Sequence, residues 1–180
     1  MKLDKIDKIL WSMLGAVLIS LALLLWQGLH RDGAQAKGLA DRAMERELAD
    51  QARVALLQKL YGPVEELRRK GELQTALLKL DELARRYPGE AHGYILQGEI
   101  LQQMGVMEQA LASYVAGIKL NGEYLDRKSQ LSRREEIDRL ITEGERGIAG
   151  RAKANPANRT LATAMTNINY LKSRLAGGCE

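Results

Sequence analysis

No phenylalanine, three prolines, two histidines and a single cysteine occur in the 180 residues of this chain. Each scarcity closes a class of protein. One cysteine forbids an intramolecular disulfide, and two histidines far apart, His30 and His92, leave no His/Cys cluster for a zinc or haem site. Aromatic residues are only 4% and β-branched runs are few, which argues against a sandwich or barrel. Excess charge of one sign is missing too. Lys and Arg number 27 against 23 Asp and Glu, and the resulting +4 is too small and too evenly mixed for an obligate nucleic-acid binder. With no GxxxxGK, HExxH or GxSxG pattern, no catalytic residue, cofactor, metal or small-molecule substrate is expected, and the chain is read as a non-enzyme.

What is abundant is Ala, Leu, Glu, Arg and Gln, which favour helix throughout. The run from Ile9 to Leu29 carries no charge, with two Ser and one Gln as its polar interruptions. As a helix it covers roughly 30 Å at about 1.5 Å per residue, enough for a bilayer core. Trp11 and Trp26 sit near its ends, where interfacial aromatics belong. A buried core helix is the alternative, but such helices usually keep a polar face and this run has none. Lys2, Lys5 and Lys8 before it, and Ala34-Gln35-Ala36 after it, also fit a secretory signal. The apolar stretch exceeds the usual signal core of about 7–15 residues, which favours an uncleaved anchor at 9–29 behind a cytoplasmic tail at 1–8. Arg31, Lys37, Arg42 and Arg46 nearly balance the tail lysines, so orientation rests on the short tail and on the lysines lying closest to the membrane.

From 30 to 56 the expectation is an amphipathic stalk helix. Leu39, Ala43, Leu48, Ala52, Leu56 and Leu60 form its apolar stripe, and Asp41, Glu45, Glu47 and Gln51 lie opposite. It either holds a domain off the bilayer or packs as that domain's first helix. Gly62-Pro63 is expected to kink or break it, because proline lacks the amide proton and its ring clashes with the preceding turn.

Sliding the chain by 34 residues superposes Leu60 on Tyr94, Leu67 on Leu101, Gly71 on Gly105, Leu73 on Met107, Ala76 on Ala110, Leu77 on Leu111, Leu80 on Tyr114 and Pro88 on Gly122. Each copy holds one helical stripe, a glycine turn, a second stripe and a breaker, the layout of a helix hairpin. A 34-residue two-helix period resembles the tetratricopeptide repeat. The copy at 91–122 matches well through Tyr94, Gly98, Gly105, Ala110-Leu111 and Tyr114. The copy at 57–90 keeps Gly71, Ala76 and Pro88 but has Val64 and Leu83 where small residues are expected. Gly98 and Ala110 are small because the two helices of the hairpin should approach closely there.

An N-terminal transmembrane helix and an amphipathic linker helix are expected from the residues, and the resemblance implies that the all-α fold continues as a TPR-like hairpin array with capping helices in 123–180. It also implies a concave groove that binds a protein segment, lined by Gln58, Tyr61, Glu65, Arg68, Arg69, His92, Ile95, Glu99, Gln102 and Gln103. The Lys/Asn pair that grips a C-terminal carboxylate in some tetratricopeptide domains is replaced by Tyr61 with Glu65 and by Ile95 with Glu99, so Glu65 and Glu99 favour a basic or amide-rich segment. His92 is expected as a loop or groove residue.

In the last third, Ser132 to Glu135 has the Ser-x-x-Glu form of a capping box, and Gly144, Gly147 and Gly150 should weaken the helix that follows. The Gly-Glu-Arg-Gly among them lacks the strands an RNA-binding KH module would need. Asn155 and Pro156 should start a last amphipathic helix that stops at Gly177-Gly178. No acid occurs from Gly147 to Cys179, so Arg151, Lys153, Arg159, Lys172 and Arg174 read either as a basic patch for acidic lipid or protein, or as an ordinary solvated face neutralised from elsewhere. Cys179 reads as a plain exposed thiol.

The layout is similar to bacterial inner-membrane tetratricopeptide proteins, implying a single-pass scaffold or assembly factor of the cell envelope with its C-terminal domain in the periplasm. The alternative is a fixed accessory subunit of a membrane complex, with Ser12, Gly15, Ala16 and Ser20 lining a contact between spans.

Overall fold

A computed structural model describes residues 3–177, with side chains described over 13–26, at 42 and over 44–177. The chain is all-α, and no strand occurs among the described residues. Its helices are α1 (Leu3–Arg69), α2 (Leu73–Arg86), α3 (Ala91–Gln103), α4 (Met107–Leu120), a 3-10 turn (Gly122–Leu125), α5 (Arg134–Ala154) and α6 (Arg159–Leu175). Internal contacts divide it into two units, Met1–Ala52 and Arg53–Glu180.

In the first unit, the large apolar side chains from Met13 to Trp26 are 55–69% exposed. Ser20 turns its hydroxyl inward to the Val17 carbonyl at 2.8 Å, so this polar group is satisfied within its own helix. Among the described residues no helix is long and apolar enough to cross a membrane. Of the span expected at 9–29, only 13–26 has described side chains. The side chains of Lys5, Lys8, Trp11, Ser12, Arg31, Lys37, Leu39, Asp41 and Ala43, the Ala34-Gln35-Ala36 triplet, and Lys2, Gly178 and Cys179 lie outside the described residues.

The expected stalk stripe divides, with Leu60 against the core and Leu48 and Leu56 away from it. Leu48 and Leu56 are 59% and 63% exposed. The residues of α1 that enter the core of the second unit are Leu57, Tyr61 and Val64, with Val54, Leu60 and Leu67 half-buried beside them. Steps of four drift about 40° per step around a helix, whereas alternating three and four stays on one face. The expected break at Gly62-Pro63 is also absent, because α1 runs through Pro63 to Arg69. Pro63 and Lys59, whose carbonyl loses its partner, are both exposed, so water can take that acceptor. Burial of Tyr61 and Val64 on either side keeps the helix on course.

The 34-residue period is physical. α2 and α4 begin and end 34 residues apart. Gly71 and Gly105 both take positive φ, +79° and +76°. Their turns share one bonding pattern: Gly71 N–H to Arg68 O and Glu72 N–H to Leu67 O recur as Gly105 to Gln102 and Val106 to Leu101. This is a Schellman closure, which needs a left-handed residue that glycine adopts without penalty. The α3–α4 hairpin is the tightest contact. A Cβ on Gly98 would lie 2.6 Å from the Tyr114 ring, and one on Gly117 would lie 2.8 Å from Ile95.

Beyond the repeat, α5 and α6 form another hairpin, and α6 packs on α4. Three local expectations shift. The α5 N-cap is Arg133 with no side-chain cap, because Ser132 sits in a turn whose amide bonds the Ser129 carbonyl at 3.2 Å. The glycines do not weaken α5, which continues to Ala154 with Gly144 seated against Ile168. Asn155 closes α5, and Asn158 caps α6 by accepting from Leu161 N–H at 3.2 Å.

Gly98→Ala is expected to destabilise the fold by about 1–3 kcal/mol through overpacking, since the buried Tyr114 ring cannot retreat. Gly147→Ala, at an exposed helical site with no atom within 4 Å of the added Cβ, is expected to stabilise by up to about 1 kcal/mol. Urea denaturation of both variants against the wild type checks the pair.

Candidate partner-binding groove

One face of the second unit is built from α1, α3, α5 and the 126–133 connection, and it carries two adjoining clefts. The first, about 400 Å³, is lined by Val54, Leu57, Gln58, Tyr61, Gly62, Glu65, Arg69, His92, Gln130, Leu131 and Arg133. The second, about 550 Å³, is lined by Arg68, Glu99, Gln102, Gln103, Tyr114, Arg133, Glu136, Arg139 and Glu143. Arg133 belongs to both. A larger hollow of about 680 Å³ beside the α5 N-terminus is lined mainly by charged surface residues, and its Arg134 is already committed to the Leu125 and Leu175 carbonyls.

The side chains expected on the groove divide by burial. Gln58, Tyr61, Glu65, Arg69 and His92 reach the first cleft, and Arg68, Glu99, Gln102 and Gln103 reach the second. Ile95 lines neither and is wholly buried against α4. Tyr61 and His92 form the floor of their cleft, both buried, with ring centroids 5.0 Å apart in an edge-on contact. The groove residues not anticipated are Tyr114 and those beyond residue 130: Gln130, Leu131, Arg133, Glu136, Arg139 and Glu143. Another step of the period could have pointed to two of them, since Glu65, Glu99 and Arg133, like Arg68, Gln102 and Glu136, stand 34 residues apart. The helix start does not keep that step, which hides the continuation.

Glu99 joins the three elements. Its Oε2 meets Arg68 Nη1 at 3.0 Å and its Oε1 meets Arg133 Nε at 3.0 Å, with only 9% of the side chain exposed. Burial pushes its carboxyl above the ordinary carboxylate value, against the opposing pull of Arg68 and Arg133. Both oxygens are therefore engaged inside the fold, and of the two acids Glu65 is the one left at the cleft surface, with Arg68 Nη2 at 3.8 Å. At the mouth, Gln102 Nε2 donates to Glu143 Oε2 at 2.8 Å, and Arg139 pairs with Glu136 at 3.7 Å.

His92 is a core residue. Its Nδ1 lies 2.9 Å from the Tyr124 hydroxyl, and Glu90 accepts from its backbone N–H. Burial, reinforced by Arg133 and Arg53, lowers its pKa to about 4. Burial also raises the neighbouring Tyr61 to about 12, with Glu90 adding to the effect.

The basic residues at the C-terminal end do not make one uniform patch. Arg151 pairs with Glu108 at 2.9 Å and Lys172 with Glu145 at 2.7 Å, counter-charges that come from outside the acid-free segment. Lys153 and Arg159 are exposed, and the half-buried Arg174 reaches toward Gly122. No protein-family model matches the chain, and no curated protein or solved structure matches it either.

Three outcomes follow from this geometry. His92 binds its proton less readily folded than unfolded, so its contribution to stability is complete above pH 6.5 and is lost as pH falls toward 4. The loss accrues at about 1.4 kcal/mol per pH unit. Glu99, shifted upward, acts with the opposite sign, so the measurement is the difference between wild type and His92→Gln in urea midpoints across this window, and the variant should show the shallower acid loss. Glu99→Ala leaves two arginines without their carboxylate and should cost about 3–5 kcal/mol. Asp81→Ala, which breaks the exposed Arg85 pair, should change stability by less than about 0.5 kcal/mol.

Proposed function

We propose that this chain is a membrane-tethered protein–protein interaction scaffold or assembly factor of the bacterial cell envelope, which holds segments of partner proteins in a tetratricopeptide-like groove. The observation that carries the reading is the pair of adjoining clefts on one face, where apolar floor residues such as Leu57 and Leu131 lie beside polar rim residues such as Gln58, Glu65 and Gln103. An apolar anchor ringed by polar groups is the composition of a peptide-binding surface. Glu65, at the rim, favours a basic or amide-rich segment.

The tether is the apolar run at 9–29. Its support is the exposure of the large apolar side chains from Met13 to Trp26, a surface that lipid would cover at no cost in buried polar groups. In this reading the tail with Lys2, Lys5 and Lys8 stays in the cytoplasm and the groove faces the periplasm. Confinement to the membrane raises the local concentration of partners.

A second reading, a fixed accessory subunit of a membrane complex, has its own observation. Met44, Leu48 and Leu56 are large apolar side chains exposed on α1, and a neighbouring subunit would cover them.

Affinity purification from native membranes in mild detergent tests both. The full chain is expected to resist alkaline extraction from the membrane and the chain lacking residues 1–29 to be released. Glu65→Lys, a rim change that leaves the buried ion pairs of Glu99 in place, should reduce partner recovery roughly fivefold. A fixed set of membrane proteins that copurifies only with the span and ignores Glu65→Lys would establish the accessory subunit instead.

A further inference from the structure

The second cleft contains two buried polar groups that the fold leaves without partners. Tyr114 is wholly buried, and its ring is seated on Gly98. The residue lines the cleft, and its hydroxyl is buried and makes no hydrogen bond within the chain. Arg68 spends Nη1 on Glu99 and turns Nη2 toward Glu65, while its Nε–H, also buried, has no partner in the chain. A buried unpaired donor costs about 1–3 kcal/mol, and two in one cleft call for an explanation. The hydroxyl and the Nε–H both supply protons for hydrogen bonds, so what they lack is an acceptor.

The charge of the lining determines which acceptor fits. Arg68, Arg133 and Arg139 stand against Glu99, Glu136 and Glu143. Glu99 is held by two of the arginines, Glu136 by the third, and Glu143 by Gln102. The lining is balanced and its charges are mutually engaged, so a carboxylate entering here would shed its water without gaining a free cation. A neutral amide carbonyl oxygen accepts from donors of this kind and leaves that balance undisturbed.

We propose that the second cleft binds an amide carbonyl of the partner segment, main-chain or Asn/Gln, with the Tyr114 hydroxyl and the Arg68 Nε–H as its two donors. The adjoining cleft, with Leu57 and Leu131 in its lining, takes an aliphatic side chain of the same segment. This rests on the groove reading above and names the chemistry the groove selects.

The test uses the full chain in detergent micelles and a phage-displayed library of random peptides, followed by affinity measurements on selected peptides. Tyr114→Phe keeps the ring on Gly98 and removes the hydroxyl. It is expected to leave the stability of the unliganded protein unchanged or raised and to weaken peptide binding roughly tenfold, by the same factor at low and high salt. Arg68→Lys keeps the charge beside Glu99 but lacks the Nε–H, and it should weaken the same peptides. Undiminished affinity in Tyr114→Phe would overturn the inference while leaving the groove reading standing. So would a loss of stability without a loss of affinity, the mark of a hydroxyl bridged by water. Binding that vanishes at high salt, or that requires Asp, Glu or a free C-terminus, would replace the amide by a carboxylate. If no peptide is selected, or if selected peptides bind equally to Glu65→Lys and Tyr114→Phe, the groove reading falls together with the inference.

Discussion

The close approach of α3 and α4 over Gly98 is the constraint on which the second unit depends. With no Cβ at that position, the Tyr114 ring packs directly against α3. The absence of a Cβ at Gly117 lets Ile95 do the same in the opposite direction. Two mutual insertions lock the hairpin in rotation and in register, because a packed interior cannot absorb even a methylene without strain. Glu99 follows Gly98 directly, so the seat that fixes the ring also aims the carboxylate toward Arg68 and Arg133.

The Glu99 bridge then ties elements distant in sequence. Arg68 ends the first long helix, Glu99 sits inside α3, and Arg133 immediately precedes α5. A buried carboxylate between two guanidinium groups adds little net stability over an apolar replacement, yet it is costly to break, so it selects one arrangement of three helices among those a purely apolar contact would tolerate. The same bridge divides the face into two clefts that share Arg133. A segment lying across both would meet an apolar floor on one side of that arginine and hydrogen-bonding groups on the other.

Polar satisfaction is uneven across the unit, and the unevenness is informative. His92 is buried but answered by Tyr124. The α6 N-terminus is answered by Asn158, and the repeat turns close their carbonyls through Gly71 and Gly105. Against that background, the unanswered Tyr114 hydroxyl and Arg68 Nε–H stand together in one cleft. Among the described residues, the two buried side-chain groups left without a hydrogen bond line the same cleft.

The residues by themselves determined the helical class, the apolar character of 9–29 and the 34-residue period, since composition and spacing act locally and glycine alone takes the Gly71 and Gly105 turns without strain. The need for small side chains at Gly98 and Ala110 was equally legible, because two turns of helix cannot touch across larger ones. What only tertiary structure decided was the partner of each side chain. Leu56 and Leu57 are neighbours of the same residue type, and only the core's position tells which one is buried. Ser132 and Asn155 both carry capping chemistry, but α5 starts without a side-chain cap and Asn158 is the residue that caps α6. Glu99 read as a groove acid and became an internal bridge, because its two arginines lie about a repeat length away in either direction. The shared cleft around Arg133 was hidden for the same reason: α5 starts off the period while the groove positions stay on it, and alignment of residues along the chain cannot show which of the two rules a helix obeys.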